Sequence, residues 1–264
     1  MRKPLLYAKH ANGAYDRLDY VAGDGVIFTR VNEPSLLDGI TAAWHLEEGS
    51  GGPWLDASGN GLTLTDVIPG GALQVTGKFN FGVLPRAAPF YSTLTSANIP
   101  GGRRTRFSAS FWYNAQSQSS GGRGMIGDWH YTGNIGAWAI GYTAGAFHNY
   151  VKVPGVSASS YYDGYFNFTP DNAWHHYAYV FNGSAIGSAE RFKIYHDGVA
   201  QTLTFVGPLG AAPAAIGGVG EIETFGLGQS LLGIGWYANY YFDELVLWND
   251  RALSATDVWM LYNG

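Results

Sequence analysis

The chain has 264 residues, with 15 Lys+Arg against 20 Asp+Glu for a formal net charge of −5 at pH 7, which excludes a strongly basic nucleic-acid groove. Charged residues make up 13% of the chain against about 25% in ordinary globular domains, while Gly (38), Tyr (18), Phe (14) and Trp (9) are abundant, so a coiled coil or charged helical bundle is disfavoured. The absence of Cys rules out a disulfide framework, a thiolate metal site and a Cys nucleophile, and 46% hydrophobic residues suffice for a sizeable core.

Residues 1–38 are the most charged stretch and read as an arm with one short strand at Val26–Val31. Charge returns at Lys9 before any apolar run of the about 7–15 residues that a signal peptide needs, so no cleaved secretory signal is expected. No window reaches about 18 consecutive apolar residues, so no membrane insertion is expected either.

From Gly39 onward, short apolar runs of period two separated by Gly, Pro, Asn and Ser predict antiparallel strands. The clearest are Phe107–Tyr113, Trp174–Phe181, Phe192–His196 and Tyr241–Trp248. In the first, Phe107, Ala109, Phe111 and Tyr113 share one face, and Ser108, Ser110 and Trp112 the other. In the last, strict alternation sets Tyr241, Asp243, Leu245 and Leu247 against Phe242, Glu244, Val246 and Trp248. Both faces look partly buried, as in an inner strand of stacked sheets. Asp197-Gly198 between Phe192–Tyr195 and Val199–Phe205 predicts a hairpin. One helix is predicted, where Ser254 and Asp257 form a capping box ahead of Val258, Met260, Leu261 and Tyr262, with Asn263-Gly264 as its stop. The Gly-rich stretches Ser117–Gly124 and Gly207–Gly220 read as loops.

Four segments then occur in order: Ala43-Trp-His-Leu-Glu-Glu-Gly-Ser50 with Asp56-Ala-Ser-Gly-Asn-Gly61; Phe107-Ser-Ala-Ser-Phe-Trp112; Trp174-His-His-Tyr-Ala-Tyr-Val180 with Lys193-Ile-Tyr-His-Asp-Gly198; and Tyr241-Phe-Asp-Glu-Leu-Val-Leu-Trp-Asn249 with Arg251-Ala-Leu-Ser254. Together they span residues 39–264, and in this order they resemble the LamG-like (laminin G, concanavalin A-like) jelly-roll domains of bacterial and phage proteins. The resemblance implies an all-β fold, a concanavalin A-like jelly-roll β-sandwich with one short C-terminal helix, and leaves residues 1–38 outside as an arm for docking or oligomerisation. It also implies binding to glycans or proteins rather than catalysis, through loops at the sandwich rims. Tyr177 stands where the family has Val, and residues 117–160 and 207–228 align with nothing in it, so the ligand is left open.

Asp56, Ser58 and Asn60 before Gly61 place oxygens at alternate positions of a tight loop, as the first half of a calcium loop does; equally, Asp56 and Asn60 can shape an Asx-type turn. Position twelve is Val67, so there is no EF-hand. The resemblance implies that any calcium is held by oxygens at a rim, with Asp56 or Asp243 as contributors. His175 and His176 are adjacent on a predicted strand, point to opposite faces and cannot chelate one ion together, so each reads as a packed or surface histidine. Aromatics in or beside loops are the usual platform for sugar rings, and Trp129, Tyr131, Trp138, Tyr161, Tyr162, Trp236 and Tyr237 are so placed. Most aromatics of a sandwich are core, and the pairs Tyr161-Tyr162 and Trp236-Tyr237 stand out because adjacent strand residues cannot both face one core.

Two readings follow: a recognition or adhesion module that takes a glycan or surface polymer through its rim loops at a virion surface or outside a cell, or a purely structural phage virion protein, capsid-decorating or tail-associated, held in a homo-oligomer or lattice. A third, a glycoside hydrolase, needs a carboxylate pair such as Glu221 and Glu223, but the Glu-x-Asp-x-x-Glu run of laminarinase-type enzymes is missing.

Overall fold

The computed structural model of the chain describes residues 7–9, 15–21, 25–29, 36–66, 72–85, 94–99, 104–115, 123–127, 138–143, 145–152, 161–207, 211–216, 223–227 and 240–264. The N-terminal segment, expected to hold one strand, forms three: β1 (Tyr7–Lys9), β2 (Tyr15–Val21) and β3 (Gly25–Thr29) pair in order as an antiparallel meander.

Next come β4 (Ile40–Trp44), β5 (Thr65–Asp66), β6 (Leu73–Thr76), β7 (Phe81–Leu84), β8 (Leu94–Ile99), β9 (Arg106–Ala115), β10 (Arg123–Gly127), β11 (Trp138–Thr143) and β12 (Ala146–Lys152). They are followed by β13 (Tyr161–Asn167), β14 (Trp174–Asn182), a one-turn α1 (Ser188–Arg191), β15 (Phe192–His196), β16 (Val199–Ala200), β17 (Thr204–Val206), β18 (Glu223–Leu227), β19 (Tyr240–Trp248) and α2 (Ala255–Asn263).

These strands make two antiparallel sheets of eight strands each. The first runs β16-β15-β14-β9-β19-β7-β6, with β4 also paired to β19; the second runs β17-β13-β12-β11-β10-β18-β8-β5. The core between them is strongly aromatic, with Trp44, Trp54, Trp138, Phe107, Phe111, Tyr113, Phe147, Tyr177, Tyr179 and Phe242 buried. Phe107, Ala109, Phe111 and Tyr113 of β9 face this core as the alternation predicts. The opposite face of the first sheet is covered by a smaller cluster that joins Ala178, Val180, Tyr195 and Trp248 to Val258 of α2 and to Leu36 and Leu253, which lie outside that helix. The all-β fold with a short C-terminal helix is therefore the one expected.

Local chemistry explains the ends. Asp257 N donates to the Ser254 side chain at 3.1 Å and Ser254 N donates to Asp257 Oδ2 at 2.8 Å, which completes the capping box of α2. Asp197 and Gly198 both take positive φ, 51° and 75°, as a tight hairpin turn demands. The returning strand differs from expectation: β16 pairs with β15 for two residues only, and the chain then crosses to β17 at the edge of the second sheet.

Two expectations are corrected. Residues 117–160 and 207–228, which align with nothing in the family and are expected to be loops, contain β10, β11 and β12 and, in the second stretch, β18. In β19 the strict alternation fails, because Glu244 at φ 50° lies within a register shift between Asp243 and Val246. This bulge reverses the parity, so that Phe242, Leu245 and Leu247 face the core together while Val246 and Trp248 face α2.

Candidate functional site

The face of the second sheet turned away from the core carries a row of half-buried rings on β12 and β13. Alternation sends Phe147, Asn149 and Val151 of β12, and Tyr162 and Phe166 of β13, inward. It turns His148 and Tyr150 the other way, opposite Tyr165 and Asp163 in the β12–β13 register, with Tyr161 at the strand's start. His148 lies between two near-parallel rings, 5.0 Å from Tyr165 and 5.9 Å from Tyr150, and Tyr161 meets Tyr150 edge-on at 5.5 Å.

Asp163 organises the row. Its carboxylate is buried, with Oδ2 2.6 Å from His148 Nδ1 and Oδ1 accepting Asn149 N at 3.2 Å. A buried carboxylate against one ring nitrogen sets the orientation of the imidazole. Burial, together with the neighbouring Asp163 charge, pushes the Tyr150 phenol above its ordinary range. Beneath the row, Tyr177 OH donates to Asn149 Oδ1, and Asn149 Nδ2 donates to Gly164 O at 2.9 Å. Gly164 is required there, since a Cβ would approach the Phe192 ring to 2.6 Å. The outcome is a preorganised strip of phenol and imidazole groups, whose edges can meet a sugar and exchange hydrogen bonds with its hydroxyls.

Of the aromatic residues singled out from sequence, Tyr161 belongs to this row. Tyr162 does not: it is 4% exposed and stacks on Phe205 at 5.4 Å inside the sandwich, because a period of two gives its neighbour the outer face. Trp138 is likewise core, 4.5 Å from Phe107. Trp129, Tyr131, Trp236 and Tyr237 lie outside the described residues, as does Glu221. His148, Tyr150, Asp163 and Tyr165 escaped the sequence reading, although Phe147/Asn149/Val151 and Tyr161/Asp163/Tyr165 both alternate and signal two adjacent strands.

The oxygens considered for calcium have other roles. Asp56 Oδ1 accepts Ala43 N at 3.0 Å and Ser58 N at 2.9 Å, and Oδ2 accepts Leu62 N at 2.9 Å. These amide bonds outweigh the cost of burial and hold its carboxyl below the usual range. Asn60 Nδ2 donates to Ile40 O and Thr41 O at 3.1 and 2.9 Å, and Ala57 N donates to Ala43 O at 2.7 Å. The loop is the Asx-type turn, laid along β4. Asp243 is buried on β19 and accepts Phe79 N at 2.8 Å through Oδ2, while burial raises its carboxyl to about 7.

A different cluster lies at one rim of the sandwich. His175 at the start of β14 and His196 at the end of β15 stack at 4.8 Å between ring centres, with Asp197 in the adjoining turn. His176 points to the opposite face, as adjacency requires, with Nε2 2.8 Å from Ser110 Oγ. Among the described residues, His175, His196 and Asp197 are the one group of three His or carboxylate side chains close enough to share an ion, and neither Asp56 nor Asp243 belongs to it.

No protein-family model and no curated protein sequence matches the chain. Solved structures do. The binding domain of botulinum neurotoxin DC in complex with rat synaptotagmin II superposes with a TM-score of 0.60 at 16% identity, over 87% of this chain and 52% of that one. The same toxin domain in complex with SialylT gives 0.59 at 16%, again over 87% and 52%. Domain 4 of AbnA, an extracellular GH43 arabinanase of Geobacillus stearothermophilus, in complex with arabinotriose, gives 0.59 at 18%, over 84% of this chain and 98% of that one. The chain thus spans about half the length of the toxin domains and nearly the whole of the arabinanase domain. At these identities the likeness is one of fold, and the chain is a two-sheet antiparallel β-sandwich.

Proposed function

We propose that the protein is a non-catalytic recognition module that binds a glycan or glycan-bearing surface polymer across the β12–β13 face and the neighbouring rim loops. The observation that carries the reading is the Tyr165–His148–Tyr150 stack with Tyr161 at its end, held by the buried Asp163. It is supported by the chemistry of ordered, partly exposed aromatic and hydroxyl groups on the outer face of a sheet, and by a fold shared with domains solved with SialylT and arabinotriose. Trp129, Tyr131, Trp236 and Tyr237 extend the same proposal to the loops. The setting proposed is a virion or other extracellular surface, with the N-terminal β1–β3 segment docking the module or joining copies of it.

A glycan array with the full chain, followed by titration of the best hit, tests this. Tyr161→Ala and Tyr165→Ala should each weaken binding about tenfold or more while leaving the unfolding temperature near that of the parent. Unchanged affinity in both variants would overturn the assignment. A defined oligomer in mass photometry with no glycan hit would overturn the recognition reading in favour of a structural virion role.

A further inference from the structure

We propose that His175, His196 and Asp197 form a binding site for a divalent transition-metal ion of the zinc class, with two imidazole nitrogens and one carboxylate oxygen as protein ligands. One donor atom from each residue lies within 4.8 Å of the other two, and all three side chains are partly exposed, so an ion can enter from solvent. Asp197 Oδ2 is the shared centre, 2.7 Å from His175 Nδ1 and 3.9 Å from His196 Nδ1.

What separates this group from a chance cluster is that each ligand is held through its other polar atom. His175 Nε2 lies 3.0 Å from Asp171 Oδ1, and His196 Nε2 lies 2.8 Å from Tyr113 OH. Asp197 Oδ1 accepts His176 N at 2.8 Å. The ion would replace the proton that His175 Nδ1 shares with Asp197 Oδ2; the ring protons then sit on Nε2, directed at Asp171 and at the Tyr113 oxygen, and both Nδ1 lone pairs face the ion. Metal-binding histidines are typically oriented in this way, by a carboxylate or oxygen acceptor on the far nitrogen. Phe168 packs beside both rings, at 5.3 Å from His175 and 4.9 Å from His196, and walls one side. Tetrahedral zinc with bonds of about 2.0–2.1 Å places its donors about 3.3 Å apart, so the 2.7 Å contact opens slightly and the wider separations close by small ring turns. Water or a ligand atom takes the fourth position. The ion would tie the 171–175 turn to the β15–β16 hairpin, and it is independent of the β12–β13 face.

The test uses the full chain, stripped with EDTA and dialysed, titrated with zinc chloride alone by calorimetry, with bound metal counted by mass spectrometry and cobalt as a visible probe of tetrahedral geometry. One zinc per chain is expected, together with a higher unfolding temperature. His196→Gln should abolish both effects, and Tyr113→Phe, which removes a positioning hydroxyl, should weaken binding by about 10–100-fold. His45→Ala, at the His45–Glu244 pair elsewhere on the surface, should bind like the parent. Equal zinc affinity in His196→Gln, or no zinc bound by the parent chain, would overturn the site; the unfolding temperatures in EDTA show whether each variant is folded.

Discussion

At Asp243 burial favours the neutral carboxyl, with the negative charge of Glu244 adding to it and the amides of Phe79, Glu244 and Lys78 opposing, for a value near 7. An acid whose folded value lies above its unfolded value stabilises the fold below about pH 4 and loses that contribution as pH rises through 7. The stability of the parent relative to Asp243→Asn should therefore fall between about pH 4 and about pH 7, as measured by urea unfolding at each pH. A difference independent of pH would show that the carboxyl is ionised throughout. Gly164 makes a second case: Gly164→Ala drives a methyl into the Phe192 and Phe205 rings and should cost about 1–3 kcal/mol in the same assay. Neither effect was legible in the sequence. Asp243 reads from sequence as a rim oxygen and nothing in the sequence marks Gly164, because what decides each is the packing of residues distant in the chain.

Among the elements, α2 was the most legible, since Ser254 and Asp257 state its start within four residues and need no tertiary partner. Ser254→Ala should lower stability by about 1 kcal/mol. Its outward-facing neighbour Trp112, stacked on Tyr262 at 5.7 Å and approached by Lys78 at 4.1 Å, should then show altered fluorescence as the helix loosens. β19 was legible as a strand but not in its facing, because the bulge at Glu244 belongs to its pairing with β9. The pairing of β14 with β15 hid the His175–His196 cluster in the same way: the residues are far apart in sequence, and register alone brings them to one rim. For the Asp56 loop, an Asx turn predicts that Asp56→Ala destabilises the chain by the same amount with and without EDTA, as differential scanning calorimetry would show.

For the whole molecule, period-two runs and Asp-Gly punctuation sufficed for two stacked antiparallel sheets, whereas strand order did not follow from them, because it depends on which runs meet after collapse. The division at residue 38 also reads differently in three dimensions. Leu36 is buried in the cluster under α2, Trp248 Nε1 donates to Leu36 O at 3.1 Å, and Arg251 Nη1 donates to Asp38 O at 3.2 Å. Removing residues 1–30 should leave the unfolding temperature of the sandwich nearly unchanged, whereas removing residues 1–38 should lower it by several degrees. Equal temperatures for the two truncations would mean that Leu36 contributes little.

The strands at the ends of the two sheet orders are β16, β6, β17 and β5, of two, four, three and two residues. The side of β4 away from β19 has Ala43 N, Ala43 O and Thr41 O occupied by the Asp56–Asn60 loop. Such short or capped margins give an incoming strand few backbone groups on which to template. Among the described residues, the two sheets therefore offer little margin on which copies could polymerise into shared ribbons.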